Sequence, residues 1–217
     1  VSDCDSCHGS ATLIAAEIRQ KIASRIGITV SAGIANNKFL AKVASDWQKP
    51  NGQTTVAPDK VAGFVSSLPV AKIPGVGPVM QQELAALNVY TAQDMQQLSL
   101  AQLLHHCGSF GERLHQLCRG IDMREVKASR ERKSISVEQT FDRDLTGISQ
   151  LMPEISKLYQ DLQARIERAG GANISGGFVK VKFSDFSQTT LSRSQVNINL
   201  SSYIQWIEQA AARDNKS

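Results

Sequence analysis

The sequence predicts a multi-domain α+β chain built of three pieces: a partial α-β-α piece, an all-α unit with a helix-hairpin-helix, and a ferredoxin-like β-α-β-β-α half-sandwich short of its last strand. Three observations predict it. Apolar residues recur at helical spacing through most of the first 120 residues, then alternate after residue 133. A Pro-Gly-apolar-Gly turn interrupts the helical stretch at Pro74–Gly77. Residues 119–133 carry six Lys or Arg against three Asp or Glu, separating the two regimes.

Each element has a local reason. Ser10 is placed to cap a helix over 10–27, with Leu13, Ile14, Ile18, Ile22 and Ile26 on one stripe and Gly27 at its end. Ile28–Ile34 reads as a buried strand with no partner of its own. Asn36 or Asn37 starts the next helix, turning Phe39, Leu40, Val43, Ala44 and Trp47 inward, before the Lys49-Pro50-Asn51-Gly52 turn. Short helices follow, with inward positions Val61/Phe64/Val65/Leu68, Val79/Leu84/Leu87, Met95/Leu98, Leu100/Leu103/Leu104 and Leu114/Leu117. Thr91 with Asp94, and Ser99, supply caps. Beyond the basic run, Ser134–Phe141, Gly176–Phe183 and Gln188–Val196 read as strands. One helix runs through Ile155, Leu158, Tyr159, Leu162 and Ile166, and a closing helix starts at Ser201 or Ser202.

The chain has 217 residues, is 41% hydrophobic and 20% charged, and carries a net charge of +4. No apolar run approaches the roughly 20 residues of a membrane span, and no signal-peptide pattern opens the chain. Four cysteines do not make a disulfide scaffold, and a reducing cytoplasm is the simplest compartment. A membrane protein, a secreted knot and a disordered tail are excluded; a binder of anionic ligands is allowed.

Two features point to nucleic acid. In Lys72-Ile73-Pro74-Gly75-Val76-Gly77-Pro78 two glycines let backbone approach a ligand, and the positive end of the next helix faces an anion. A helix-hairpin-helix of this kind holds a phosphate without reading a base. The strands carrying Lys133, Lys180, Lys182 and Arg193, beside Ser134, Gln188, Thr189 and Thr190, would form a basic sheet face able to lie along a duplex. An ordinary turn and a solvated sheet face are the plainer alternatives.

The remaining motifs argue against other chemistry. Cys4-Asp5-Ser6-Cys7-His8 has the spacing of a haem-attachment site, but no Met is positioned as a further ligand. A zinc site from Cys107, Cys118, His105, His106 and His115 lacks paired ligand spacing. Neither haem nor zinc is expected, and Cys118 falls with Leu114 and Leu117 as a core residue. No Walker loop, no GxSxG and no metal-holding carboxylate pair is present.

Ser31–Asp46, running on into Trp47-Gln48-Lys49-Pro50-Asn51-Gly52, resembles the last part of the palm of Y-family (translesion) DNA polymerases. Lys72–Gly77 is similar to that family's thumb hairpin, and Arg132-Lys133-Ser134-Ile135-Ser136 to the junction of its tether and little finger. The likeness covers nearly the whole chain, and the three motifs are specific by order and spacing. It implies a palm part at 1–57, a thumb at 58–121, a basic tether at 122–132 and an incomplete little finger at 133–217. It implies two-Mg²⁺ nucleotidyl transfer in the full-length enzyme, with carboxylates that fall outside this sequence. No catalytic residue and no metal ligand is therefore expected here, and the chain alone is expected to be inactive. Both ends read as cut: fingers, last little-finger strand and clamp-docking peptide are missing from the family pattern. Lys49 matches the lysine that contacts the incoming triphosphate. Gly75, Val76, Gly77, Arg130, Arg132, Lys133, Ser134, Lys180, Lys182, Gln188, Thr189 and Arg193 are the expected DNA contacts. The implied partners are a primer–template duplex, with the incoming deoxynucleotide and a sliding clamp for the full-length protein. A cytoplasmic monomer with no membrane partner is expected. The rival reading is a non-enzymatic helix-hairpin-helix DNA-binding module.

Overall fold

A computed structural model describes residues 9–129, 132–171, 174–194 and 198–214. Ser10 caps the first helix as expected: its Oγ accepts from the Leu13 N–H at 3.3 Å and starts α1 (Ala11–Ile26). Gly27, at φ 76°, closes α1 through its own N–H to the Ala23 carbonyl at 3.1 Å. The expected strand at 28–34 is narrower and later, as β1 (Ala32–Ala35), and it is half-buried.

β1 has a partner. The helix α2 (Lys38–Trp47) is the crossover to β2 (Gln53–Val56), which pairs with β1 in parallel from Ala32↔Gln53 to Ala35↔Val56. Gln-Thr-Thr-Val is short and mostly polar, so it gives no apolar pattern to read. Its existence corrects the expectation of a strand without a partner. Arg19 ties α1 to this pair, its Nε donating to the Val30 carbonyl at 3.0 Å and its Nη2 to Asn51 Oδ1 at 2.8 Å.

The chain divides once, into units 1–128 and 129–217. The sequence reading separates residues 1–57 from the helices that follow, but packing does not. Phe39, Leu40 and Val43 of α2 share one core with Val65 of α3 (Val61–Ser66), Leu84 of α4 (Pro78–Ala86) and Met95 of α5 (Ala92–Gln96). Leu103 of α6 (Leu100–Cys107) and Leu114 and Leu117 of α7 (Phe110–Leu117) complete it. Burying each such side chain stabilises the unit by about 1.5–3 kcal/mol. Polar stitches reinforce the same junction. Asn37 Nδ2 donates to the Gly120 carbonyl at 2.8 Å, and Asp122 Oδ2 accepts from the Phe39 N–H at 3.0 Å. Arg124 grips both Asp122 oxygens at 2.7 Å, which holds that carboxyl below the usual carboxylate range.

The capping residues behave as read: Thr91 with Asp94, and Ser99 with Gln102, each form a reciprocal capping box. Four inward expectations fail. Val79, in the first turn of α4, is 71% exposed, Leu100 and Leu104 of α6 are exposed while Leu103 between them is buried, and Trp47 is exposed although its ring meets Phe64 at 4.9 Å.

The second unit holds α8 (Ile148–Arg168), β3 (Gly177–Lys182), β4 (Gln188–Arg193) and α9 (Leu200–Ala211). β3 and β4 pair antiparallel, and Val179, Leu191, Trp206 and Ala210 form the core beneath them. Residues 134–141, expected as the first strand, make no strand; Arg165 Nη1 donates instead to the Ser136 carbonyl at 2.7 Å. Alternation marks which face a strand would bury, but a strand exists only where a ladder partner satisfies its backbone. The described order is α-β-β-α, not the expected β-α-β-β-α. The end of the expected third strand, Val196, lies outside the described residues. The closing helix starts earlier than read, with Asn199 Oδ1 accepting from the Ser202 N–H at 3.0 Å.

Candidate nucleic-acid interface

The hairpin is pinned from below and open above. A short 3₁₀ turn at Val70–Lys72 leads into it, and the buried Ile73 and Val76 anchor it in the core. The Val76 N–H donates to the Ile73 carbonyl at 3.0 Å and closes the turn. Val76, expected beside Gly75 and Gly77 as a DNA contact, is thus an anchor whose amide is already used. Among the described residues the exposed Gly75 and Gly77 amides donate to no internal acceptor. Gly75 sits at φ 103°, and a Cβ there would stand 2.6 Å from Phe110 Cζ, so glycine is required. Gly77 is the N-cap of α4, with Pro78 at its first position and no side-chain cap. The helix therefore presents its unpaired first-turn amides and its positive dipole end beside the two glycines. The arrangement suits a phosphate oxygen.

The β3–β4 register sorts the expected sheet contacts into two faces. Lys180↔Thr190 and Lys182↔Gln188 are exposed cross-strand pairs on the open face, joined by Phe178↔Ser192. Thr189 and Arg193 share the other face with Leu191, against α9. Thr189 Oγ1 donates to the Ala210 carbonyl at 2.8 Å, and Arg193 Nη2 to Gln209 Oε1 at 3.4 Å. Both are thus taken off the open face. The period of two already carried this, because residues 189, 191 and 193 lie on one side of a strand. Phe178 and the hairpin-tip Phe186 are the exposed residues that the sequence reading left out.

Arg132, Lys133 and Ser134 are exposed and lie in no helix or strand, and Arg130 lies outside the described residues. Lys49 pairs with Asp46, which also pairs with Lys42; the hydrogen bond from Lys42, followed by that from Lys49, lowers the Asp46 carboxyl to about 2. Cys4, Cys7 and His8 also lie outside the described residues. Cys107 and Cys118 are buried free thiols, and burial pushes both above their ordinary pKa. Among the described residues no group of three or more His, Cys, Asp or Glu is placed to hold a metal ion. A Mg²⁺ site does not fit these residues.

Family models match three consecutive stretches: the impB/mucB/samB family over residues 1–46, the thumb domain of DNA polymerase-iota over 71–122, and the C-terminal domain of the impB/mucB/samB family over 132–213. The hairpin lies within the thumb match and the open sheet face within the C-terminal match. A helix-hairpin-helix thumb followed by this C-terminal domain defines the class. DNA polymerase IV of Legionella pneumophila (strain Lens) is 48% identical over 98% of this chain and 60% of the relative. DNA polymerase IV of Ectopseudomonas mendocina (strain ymp) is 46% identical over 100% of this chain and 62% of the relative. Along almost its whole length the chain is homologous to bacterial DNA polymerase IV. It spans about 60% of the length of the curated relatives it matches. The fold agrees. A Y-family DNA polymerase chimera of Dbh and Dpo4 superposes with TM-score 0.74 at 22% identity, over 98% of this chain and 63% of the other. A post-insertion binary complex of Dbh DNA polymerase gives TM-score 0.55 at 20% identity, over 100% of this chain and 64% of the other.

Proposed function

We propose that this chain is the duplex-holding portion of a DNA-templated DNA polymerase that works in translesion synthesis. The observation that carries the reading is the Gly75–Gly77 hairpin, with free amides at a helix N-terminus, inside a chain homologous to DNA polymerase IV along almost its whole length. The amides of Gly75 and Gly77 bind one phosphate of the duplex. Lys180, Lys182, Arg132 and Lys133 follow the backbone further along, and Lys49 reaches the incoming triphosphate once Asp46 releases it. All these contacts are to phosphate and carry no sequence information, which suits an enzyme that must accept any template. Relatives' homology supports a two-metal polymerase activity for the whole protein; the described residues supply binding and orientation, and no metal ligands. A deoxynucleotide and a sliding clamp are the further partners of that whole protein.

Binding of a fluorescein-labelled duplex of mixed sequence tests the reading. Affinity falls steeply as salt rises, with a log–log slope of about −0.9 for each phosphate neutralised. It is insensitive to sequence at constant salt. A flat salt response, or binding to one sequence alone, overturns it. Primer extension by this chain with Mg²⁺ and all four deoxynucleotides yields no product; templated extension contradicts the assignment of a binding role alone.

A further inference from the structure

A lysine that meets a triphosphate needs a fixed backbone beneath it, and Lys49 stands on a turn that the backbone alone does not fix. Residues 48–52 carry the chain from the end of α2 to β2, alongside β1. A Cβ at Gly52 would stand 1.8 Å from the Gln48 carbonyl oxygen, so the turn doubles back onto the helix end. Its far end is anchored: the Ala32 N–H donates to the Gly52 carbonyl at 3.0 Å, and the Gly52 N–H to Ser31 Oγ at 3.2 Å. Its tip is not. Among the described residues no backbone–backbone bond reaches Pro50 or Asn51, and Asn51 sits at φ 52°, in the left-handed region.

Arg19 of α1 supplies what the backbone lacks. Its Nη2 donates to both the carbonyl and the side-chain Oδ1 of Asn51, the latter at 2.8 Å. Its Nε reaches the Val30 carbonyl at 3.0 Å, and its Nη1 reaches Gln53 Oε1 at 3.4 Å. One half-buried guanidinium thus bridges the lead into β1, the tip of the turn and the first residue of β2. Three donor nitrogens in one rigid plane suit this, whereas an ammonium on a flexible stem cannot hold four separated acceptors. All four acceptors are uncharged oxygens, so these contacts orient the turn rather than neutralise a charge. The Lys49 side chain pairs with Asp46 on α2 and swings from it to reach a phosphate; the backbone that carries Lys49 is what Arg19 holds.

We propose that Arg19 is the positioning residue of the triphosphate contact: by clamping Asn51 it fixes where Lys49 is presented. Arg19 acts through the turn and not on the nucleotide. The proposal rests on the reading that Lys49 meets the triphosphate. On a loose turn the lysine's charge is spread over many positions, and binding has to order the turn first, which weakens it.

The test is amide NMR of the 217-residue chain, of Arg19→Lys and of Lys49→Ala, each titrated with inorganic tripolyphosphate at constant ionic strength. In the parent the Lys49 and Asn51 amides respond, and in Lys49→Ala the Asn51 response is lost. Arg19→Lys keeps the charge, but the order parameter of the Asn51 amide falls from about 0.85 to below about 0.6, and the affinity read at Lys49 drops roughly tenfold. The Gly77 amide, in the separate hairpin, responds equally in parent and Arg19→Lys, which a general loss of structure would not allow. Unchanged order at Asn51 in Arg19→Lys overturns the proposal, as does unchanged affinity at Lys49 or an equal loss at Lys49 and Gly77. A parent whose Lys49 amide ignores tripolyphosphate overturns the triphosphate reading of Lys49, and the proposal with it, and leaves the duplex reading standing. Lysine retains the helix propensity and the aliphatic stem of arginine, so the variant folds, and its remaining amide peaks report it.

Discussion

Gly75→Ala isolates what the hairpin demands of its backbone. At φ 103° the residue lies beyond the left-handed well that other residues occasionally enter, and such a conformation costs a non-glycine about 1–3 kcal/mol. The new Cβ would also stand 2.6 Å from Phe110 Cζ. Phe110 is partly buried against the core that Ile73 and Val76 anchor, and overpacking its ring costs a further 1–3 kcal/mol, roughly. The sum, about 2–5 kcal/mol, is a large share of the 5–15 kcal/mol that stabilises a typical domain. Gly77→Ala is the control: φ is −84°, and nothing lies within 4 Å of its Cβ position. Alanine there is neutral, or stabilising by about 0.4–1 kcal/mol through the unfolded chain. Each unit holds one tryptophan, so urea unfolding in a Trp206→Phe background reads the first unit through Trp47, whose ring rests on Phe64. Equal midpoints for the two alanine variants would refute the argument, since only strain and the Phe110 contact distinguish the sites.

Three further outcomes follow from the geometry. Gly77→Asp separates folding from binding: a carboxylate at an N-cap is favourable, so the urea midpoint holds or rises slightly, while duplex affinity drops because the new charge faces the phosphate. A lower midpoint with unchanged affinity would show that the hairpin does not meet DNA. Lys180→Ala/Lys182→Ala reduces the magnitude of the log–log salt slope for duplex binding by about 0.9 for each lysine, whereas Arg193→Ala leaves it unchanged because that guanidinium faces α9. A flattened slope in Arg193→Ala contradicts the register argument. Asp122 and Asp46 both have folded pKa values below their unfolded ones, so their contribution is complete above the unfolded value near 4 and is lost as pH falls through the folded values, about 2 for Asp46. The first unit's urea midpoint accordingly falls between about pH 5 and pH 2, and Asp122→Asn makes that fall shallower. A midpoint equally pH-dependent in Asp122→Asn removes Asp122 from the account.

The legible part of this protein is the local part. Ser10, Thr91 and Ser99 cap helices because each side chain bonds an amide three residues on, and Gly75 is required by the φ of its own residue. The family motifs were equally legible, being short stretches whose residue types and order suffice. The candidate site was only half readable. Lys180, Lys182 and Gln188 were found as basic or polar strand residues, but Thr189 and Arg193 were grouped with them on charge and polarity, against the two-residue period that turns them toward Leu191.

The sequence alone thus determined the helices, the hairpin and the family, because caps, glycines and short motifs act over a few residues. Only the tertiary structure decided the pairings. It supplied β2 as the partner of β1, though Gln-Thr-Thr-Val has no apolar signature, and it left 134–141 without a ladder despite good alternation. It also joined α2 to the helices around the hairpin in one core, and closed the Val76 amide into the turn while leaving those of Gly75 and Gly77 open. The reason is the same in each case: a strand, a core or an open donor is defined by what lies across from it, and that neighbour is distant in the chain or set by the fold of the turn.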